Sequence, residues 1–257
     1  MPFIDDTEYF DFLRDKRVAI VGPAKSIEGT RQGTLIDSYD VVVRIKSTHV
    51  PLEFQDDLGT KADVLYTDDH NTNDILPGDV VTSEGDKQTI KETGESRQNP
   101  LSFKYICSVY PKEEWFFNRF APSLQFFSAN NKVRIMNAEP YFTIKKETNR
   151  PNAGFCAIID LLTTPLEELY VTGLDFYRSL YRGCYLNSKW ERQTVRRMTV
   201  ETDGVDPRTG KGEAHDPDAQ FKYFKYNMYL KDKRIKVDKY LDEVLNNPTY
   251  EKFENTL

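Results

Sequence analysis

The segment Arg17-Val18-Ala19-Ile20-Val21-Gly22 constrains this chain more than any other. A short run of apolar, mostly β-branched residues that stops on glycine has the pattern of a strand buried on both faces, entering a tight turn. The pattern returns at 41–45, 62–66, 103–109, 132–136 and 169–173, and in shorter form at 235–237. Between these runs lie helical signals. Tyr9, Phe10, Phe12 and Leu13 are spaced among charges in 5–15; further helices are expected over 27–36, the aromatic-rich 113–127, 152–162, 216–230 and 239–246. Asp238 is placed to cap the last of these and Asn247-Pro248 to end it. Strands that alternate with helices predict an α/β fold: a mostly parallel sheet flanked by helices on both faces, read as a single domain over 1–257. Ligands of such sheets bind at the carboxyl ends of the strands. Two polar, glycine-punctuated stretches, 67–98 and 177–213, read as loop excursions.

Composition narrows the function classes. Hydrophobic residues make up 39% and charged residues 30%, with 15 Tyr and 16 Phe, which suits a folded, water-soluble chain and not a disordered one. A net charge of −6 argues against a general polyanion binder, although a local basic stripe is compatible with it. Met1-Pro2-Phe3-Ile4 runs straight into acidic residues, so no secretory leader is read, and no apolar run approaches the roughly 18 residues a membrane span needs. Cys107, Cys156 and Cys184 follow no metal-ligand spacing and read as free thiols. These features together set the expectation of a cytoplasmic protein without membrane insertion.

Several segments carry chemistry. A strand ending at Gly22 lets backbone amides approach a phosphate, but it serves equally as a tight strand-to-helix turn. Pro23 and Ala24 follow, so neither a dinucleotide fingerprint nor a P-loop is present. Among the histidines, His49 follows a strand, His70 lies beside Asp68 and Asp69, and His215 opens His215-Asp216-Pro217-Asp218. Imidazole ordinarily titrates near 6.5 and can accept a proton at neutral pH. The spacing of Asp216 and Asp218 would suit a divalent cation at a diphosphate, yet acids and a proline also belong in a helix's first turn, and the latter reading is preferred. The stretch Tyr177, Arg178, Tyr181, Arg182, Tyr185, Lys189, Trp190 is basic and aromatic, fit for stacking a sugar or base or for a charged loop. Lys222, Lys225, Lys231, Lys233 and Arg234 read as a solvated helix face.

Longer patterns point further. Gly22 to Ser26, Gly29-Thr30-Arg31-Gln32-Gly33, Ile36 to Asp40, Val41 to Lys46 and Leu58 to Asp63 together resemble the large sialyl motif of the sialyltransferase-like glycosyltransferases, family 29. Pro151-Asn152-Ala153-Gly154-Phe155 through Thr172-Gly173-Leu174-Asp175-Phe176-Tyr177 resembles the family's small motif, and His215 to Gln220 its short C-terminal one. The resemblance implies a Rossmann-like, sialyltransferase-like variant of the GT-A fold. It implies a donor site at Gly22, Pro23, Ala24, Ser26, Arg44, Lys46, Asn152, Ala153, Gly154, Thr172, Gly173 and Asp175. It makes His215 the general base, and Tyr177, Tyr181, Arg182 and Tyr185 an acceptor-binding or lid segment. The implied reaction is an inverting, metal-independent transfer of a sugar from a nucleotide donor, with no cofactor. The donor would be CMP-sialic acid-like or another nucleotide sugar, and the acceptor a hydroxyl of a glycan or another molecule.

The chain also departs from the family pattern. Pro23 stands where Asn is usual, Lys46 where Asn ends the large motif, and Gln220 where Glu is common. The cysteines that link the two motifs in animal enzymes give way to Val18 and to non-Cys residues near Thr163-Thr164. A lysine at 46 suits a diphosphate donor. Two alternatives stand beside the main reading: a viral or phage DNA-modifying glycosyltransferase acting on a flipped-out hydroxymethylated base, and a non-catalytic nucleotide-binding protein on the same fold.

Overall fold

The computed structural model describes residues 4–46, 50–67, 103–114, 131–179, 182, 205–206, 211–212 and 215–251. The expected strands form as β1 (Arg17–Val21), β2 (Val41–Ile45), β3 (Val64–Thr67), β4 (Tyr105–Ser108), β5 (Lys132–Ile135) and β6 (Glu168–Thr172). A short antiparallel ribbon, β7 (Val205–Asp206) with β8 (Lys211–Gly212), lies inside the stretch read as irregular, and β9 (Ile235–Val237) follows. Seven strands make one sheet in the order β5-β4-β3-β2-β1-β6-β9, and every pairing in it is parallel. From β1 the chain steps outward strand by strand to β5, then returns to the other side of β1 as β6. The strand order therefore reverses between β1 and β6, the place where an open α/β sheet leaves a crevice at its carboxyl edge.

Each strand's alternation distributes its side chains to two unequal cores. Val18 and Ile20 of β1, with Val41, Val43 and Ile45 of β2, enter the larger one. There they meet Tyr9 and Leu13 of α1 (Asp6–Leu13), Tyr141 and Ile144 of α4 (Ala138–Thr148) and Phe155 to Leu161 of α5 (Ala153–Leu162). Phe221 of α6 (Pro217–Tyr223) and Leu241, Val244 and Leu245 of α7 (Lys239–Asn246) complete that layer. Ala19, Val21 and Val42 face the smaller core, closed by Ile27, by Ile36 of α2 (Gly33–Asp37) and by Leu58 of α3 (Gln55–Leu58). Helices cover both faces, as the buried strands require.

Helix starts follow capping chemistry. Asp5, Asn152, Asp216 and Asp238 each accept an amide of the first turn from the N-cap position, and Pro217 occupies the first turn where its missing N–H costs nothing. After α6 the chain continues as a π-helical turn, Phe224–Tyr229. Two expectations are corrected. The helix read over 27–36 is a 3-10 turn, Lys25–Ile27, and then α2, because Gly29 (φ 77°) and Arg31 (φ 53°) take left-handed backbone between them. Asp57 holds that break open by accepting from the amides of Gly29 at 2.7 Å and Arg31 at 2.8 Å. The second correction is α4, a helix in a segment where no helix was expected. The excursion 67–98 and most of the helix expected over 113–127 lie outside the described residues, as do His49, His70, Cys184, Tyr181 and Tyr185.

Candidate active site

The strand ends at the reversal are held together by glycine. The Gly22 amide donates to the Thr172 carbonyl at 2.8 Å and the Ala24 amide to Gly173 at 2.9 Å. A β-carbon on Gly22 would stand 2.2 Å from the Gly173 carbonyl oxygen, so no other residue fits. Gly173 itself has φ 63°, and a β-carbon on it would stand 2.8 Å from the Gly22 carbonyl oxygen. The glycine that the sequence presented as a phosphate seat is thus required by backbone-to-backbone packing, and the amides of Gly22, Ala24 and Ser26 are taken up inside the protein.

Asp238 adds a tie that sequence reasoning saw only as a helix cap. One carboxylate oxygen accepts the Thr172 hydroxyl at 2.7 Å and the Gly173 amide at 3.1 Å, while the other caps α7 through Leu241 at 2.7 Å. Two buried arginines, close enough for their charges to couple, serve different partners here. Arg44, fully buried, donates to the carbonyls of Leu58 at 2.8 Å and Lys61 at 2.6 and 3.0 Å, so its guanidinium is engaged by the 58–61 loop. Burial and then the charge of Arg182 push its pKa down to about 9. Arg182, read from sequence as a lid residue, is buried and donates its amide to Pro23 at 2.9 Å and its guanidinium to the Gly22 carbonyl. Lys46 leaves β2 in left-handed backbone, φ 52°, with its amide on the Tyr66 carbonyl at 2.9 Å.

Helix α5 points its first turn into this region. Asn152 caps Phe155 at 2.9 Å, and Gly154 lies against Leu174, which a β-carbon would strike at 2.5 Å. The amides of Ala153 and Gly154 meet no hydrogen-bond acceptor among the described residues, and a helix amino end with open amides attracts an anion.

His215 is fixed to the same place. Its Nδ1 lies 2.8 Å from the Arg150 carbonyl oxygen, and it forms an isolated antiparallel bridge with Asn149. A carbonyl only accepts, so Nδ1 carries the proton and the lone pair of the neutral ring sits on Nε2. The Gln220 amide donates to that same carbonyl at 3.1 Å and accepts from the Asn152 amide at 3.2 Å. A carboxylate at 220 could accept from Asn152 but could not donate to Arg150, which explains why the amide serves here. Tyr177 stacks parallel to His215, ring centres 6.4 Å apart. Phe176 and Tyr177 both hold left-handed backbone, φ 54° and 63°, a conformation that costs roughly 1–3 kcal/mol for each such residue. Arg178 secures this turn, donating to the Phe176 carbonyl at 2.9 Å, to Asp218 at 2.8 Å and to the Tyr250 carbonyl. Asp216 caps α6 and Asp218 pairs with Arg178, so the two carboxylates serve separate partners, and no group of metal-ligating side chains forms among the described residues.

A family model described as glycosyltransferase family 29 (sialyltransferase) matches residues 5–159, more than half of the chain. The chain belongs to glycosyltransferase family 29. As a member of that family it is a glycosyltransferase. The matched span carries Gly22 and Asn152 to Gly154, whereas Gly173 and His215 lie beyond it. Among solved structures, a mammalian sialyltransferase in complex with Gal-beta-1-3GalNAc-ortho-nitrophenol is similar at 15% identity and a TM-score of 0.48, over 92% of this chain and 74% of that one. A second mammalian sialyltransferase structure is similar at 15% identity and a TM-score of 0.47, over 88% and 69%. Among curated proteins no sequence matches. No helix of the family 29 chain is long and apolar enough to cross a membrane among the described residues.

Asp175, just past β6, is buried, and burial pushes its pKa up to about 6 against the hydrogen bonds from the Ser179 hydroxyl and amide that hold it down. A carboxyl raised from 3.8 favours its protonated form in the folded chain, so its stabilising contribution is complete below about pH 4 and lost as pH rises through 6. The melting temperature of Asp175→Asn relative to the parent chain is therefore expected to rise between pH 4 and pH 7. A difference that stays flat with pH would mean the carboxyl titrates alike in the folded and unfolded chain.

Proposed function

We propose that this chain transfers a sugar from a nucleotide donor to an acceptor hydroxyl by a single inverting displacement, with His215 as general base. The observation that carries the reading is the Nδ1 contact to the Arg150 carbonyl at 2.8 Å, two residues before the cap of α5. It fixes the ring's tautomer with Nε2 as the basic nitrogen, beside a helix amino end suited to an anion. Nε2 takes the acceptor proton as the acceptor oxygen attacks the anomeric carbon. The bond from that carbon to the nucleotide phosphate oxygen breaks, and its electron pair leaves on the phosphate. The Ala153 and Gly154 amides receive that charge, aided by the positive potential of the buried Arg44 and Arg182. Protein groups carry the leaving charge in this reading, so no metal is invoked, and the donor is CMP-sialic acid-like or another nucleotide sugar with a glycan acceptor.

Thermal shift against CMP, CDP, UDP, GDP and NAD, with and without Mn²⁺, tests the donor site. A nucleotide at a hundred times its Kd stabilises the native state by about 2.7 kcal/mol, or roughly 5–10 °C for a chain of this length. The expected result is a shift of that size with one nucleotide, unchanged by chelator. Silence across the panel, or a response to NAD alone, would overturn the reading.

A further inference from the structure

The 3-10 turn that follows Gly22 is tied to the segment beyond β6 through one hydroxyl. The Ser179 hydroxyl donates to Asp175 Oδ2 at 2.5 Å and accepts the Ser26 amide at 3.2 Å, while the Ser179 amide donates to the same carboxylate oxygen at 3.0 Å. Asp175 is only 3% exposed, so it has little surface to offer a ligand. The bond within 175–179 alone would be a local loop staple. The bond from Ser26 is different in kind, because it joins residues 153 positions apart, across the crevice between β1 and β6. It adds to the ties that the amides of Gly22 and Ala24 and the backbone and guanidinium of Arg182 make on the donor turn, and it is the tie that reaches the 3-10 turn through a hydroxyl.

We propose that Asp175 is a positioning residue that orients the Ser179 hydroxyl toward the Ser26 amide, fixes the turn at 22–27 against the loop after β6, and so sets nucleotide affinity without touching the nucleotide. This rests on the reading that the nucleotide binds at these strand ends. An oriented hydroxyl needs an acceptor for its proton before it can present its lone pair to an amide. Removing the carboxylate takes away the acceptor that aims the Ser179 hydroxyl's lone pair at the Ser26 amide. The charged and titratable groups acting with Asp175 are Asp238, which opposes its ionisation, and Arg178 and Tyr240, which feel its charge in turn.

The test combines amide exchange at Ser26 with titration calorimetry of the full chain against CMP, CDP, UDP and GDP. In Asp175→Ala and Ser179→Ala the Ser26 amide is expected to exchange about tenfold faster, and nucleotide affinity to fall about tenfold, the effect of one directed hydrogen bond. Asp175→Asn keeps an acceptor oxygen and should return both readouts to within about threefold of the parent. The double variant should be no worse than either single, since both break one chain of bonds. A purely structural role would lower the melting temperature without this Asn rescue and without a selective change at Ser26. Unchanged Ser26 exchange in both Ala variants, or losses that multiply in the double variant, would overturn the proposal. If the parent chain takes up none of the nucleotides, the donor-site reading and the affinity half of this proposal fall together, and exchange at Ser26 decides the tie by itself.

Discussion

In His215→Asn, turnover is expected to fall by about 10²–10⁴ while nucleotide binding stays within about threefold of the parent chain, the range lost when a positioned general base is removed. Asparagine is the informative substitute because its Nδ2 can reproduce the imidazole Nδ1 donation to the Arg150 carbonyl. The link from residue 215 to the cap of α5 is then kept, and so is the backbone bridge to Asn149. What disappears is the second ring nitrogen, the group that takes the acceptor proton. The donor side is built from other residues, the α5 amides and the field of Arg44 and Arg182, so thermal shift with the nucleotide should persist. Steady-state rates, with the melting temperature as a check on folding, decide the matter. A variant that retains a tenth or more of the parent's turnover would remove His215 from the role of base, and a variant that also loses nucleotide binding would place it in the donor site.

The features that sequence revealed were those whose cause is local. Buried parallel strands need only their own run of β-branched residues, and β1, β2 and β6 lie where Val18 to Val21, Val41 to Ile45 and Leu169 to Thr172 place them. Caps are local too: Asp238 and the Pro151-Asn152 entry to α5 needed no distant partner to be read. The helix Ala138–Thr148 escaped because its buried face holds only Tyr141, Ile144 and Thr148 among charged neighbours, too sparse a stripe to stand out. The break at Gly29 to Arg31 depends on Asp57, brought there by folding. The same limit applied at the candidate site. Motif patterns named Gly22, Asn152 and His215, but could not say that Gly22 packs on Gly173, or that Gln220 and His215 share the Arg150 carbonyl. Nor could they say that Arg182 reaches the Gly22 turn. These contacts join positions that are neighbours only in the folded chain, and the identity of either residue alone carries no trace of its partner.

Asp160→Ala is expected to destabilise the chain by about 3–5 kcal/mol, the cost of leaving a buried charge without its partner. Arg134 reaches from β5 into the larger core with its side chain 1% exposed, and its guanidinium donates to Asp160 of α5, which is fully buried. The Tyr66 hydroxyl donates to the same carboxylate oxygen at 2.6 Å and lies 3.1 Å from the Tyr9 hydroxyl, so β3, β5, α1 and α5 meet at one carboxylate. Burial alone would lower the pKa of Arg134, but the charge and hydrogen bond of Asp160, together with Tyr66 and Cys107, outweigh it and hold the guanidinium ionised. Without Asp160, the cation keeps Asp6, whose side chain is 37% exposed and screened by water, and the ring of Tyr9 at 4.7 Å. Neither replaces a buried carboxylate. The double variant Arg134→Met, Asp160→Leu removes both charges and fills the space with apolar atoms, leaving the Tyr66 hydroxyl with Tyr9. It should recover most of the loss, because a buried ion pair offsets its own desolvation only narrowly. Urea unfolding checks this through the midpoint at unchanged slope, and the single variant should melt roughly 10 °C lower. Buried Cys107 lies in the same cluster, its thiol pushed up to about 12 by burial, so exposure of a reactive thiol in Asp160→Ala would report the opening of this layer. If the double variant is as unstable as the single one, the network's value lies in its geometry and not in balancing the charge of Arg134, and the argument from desolvation fails.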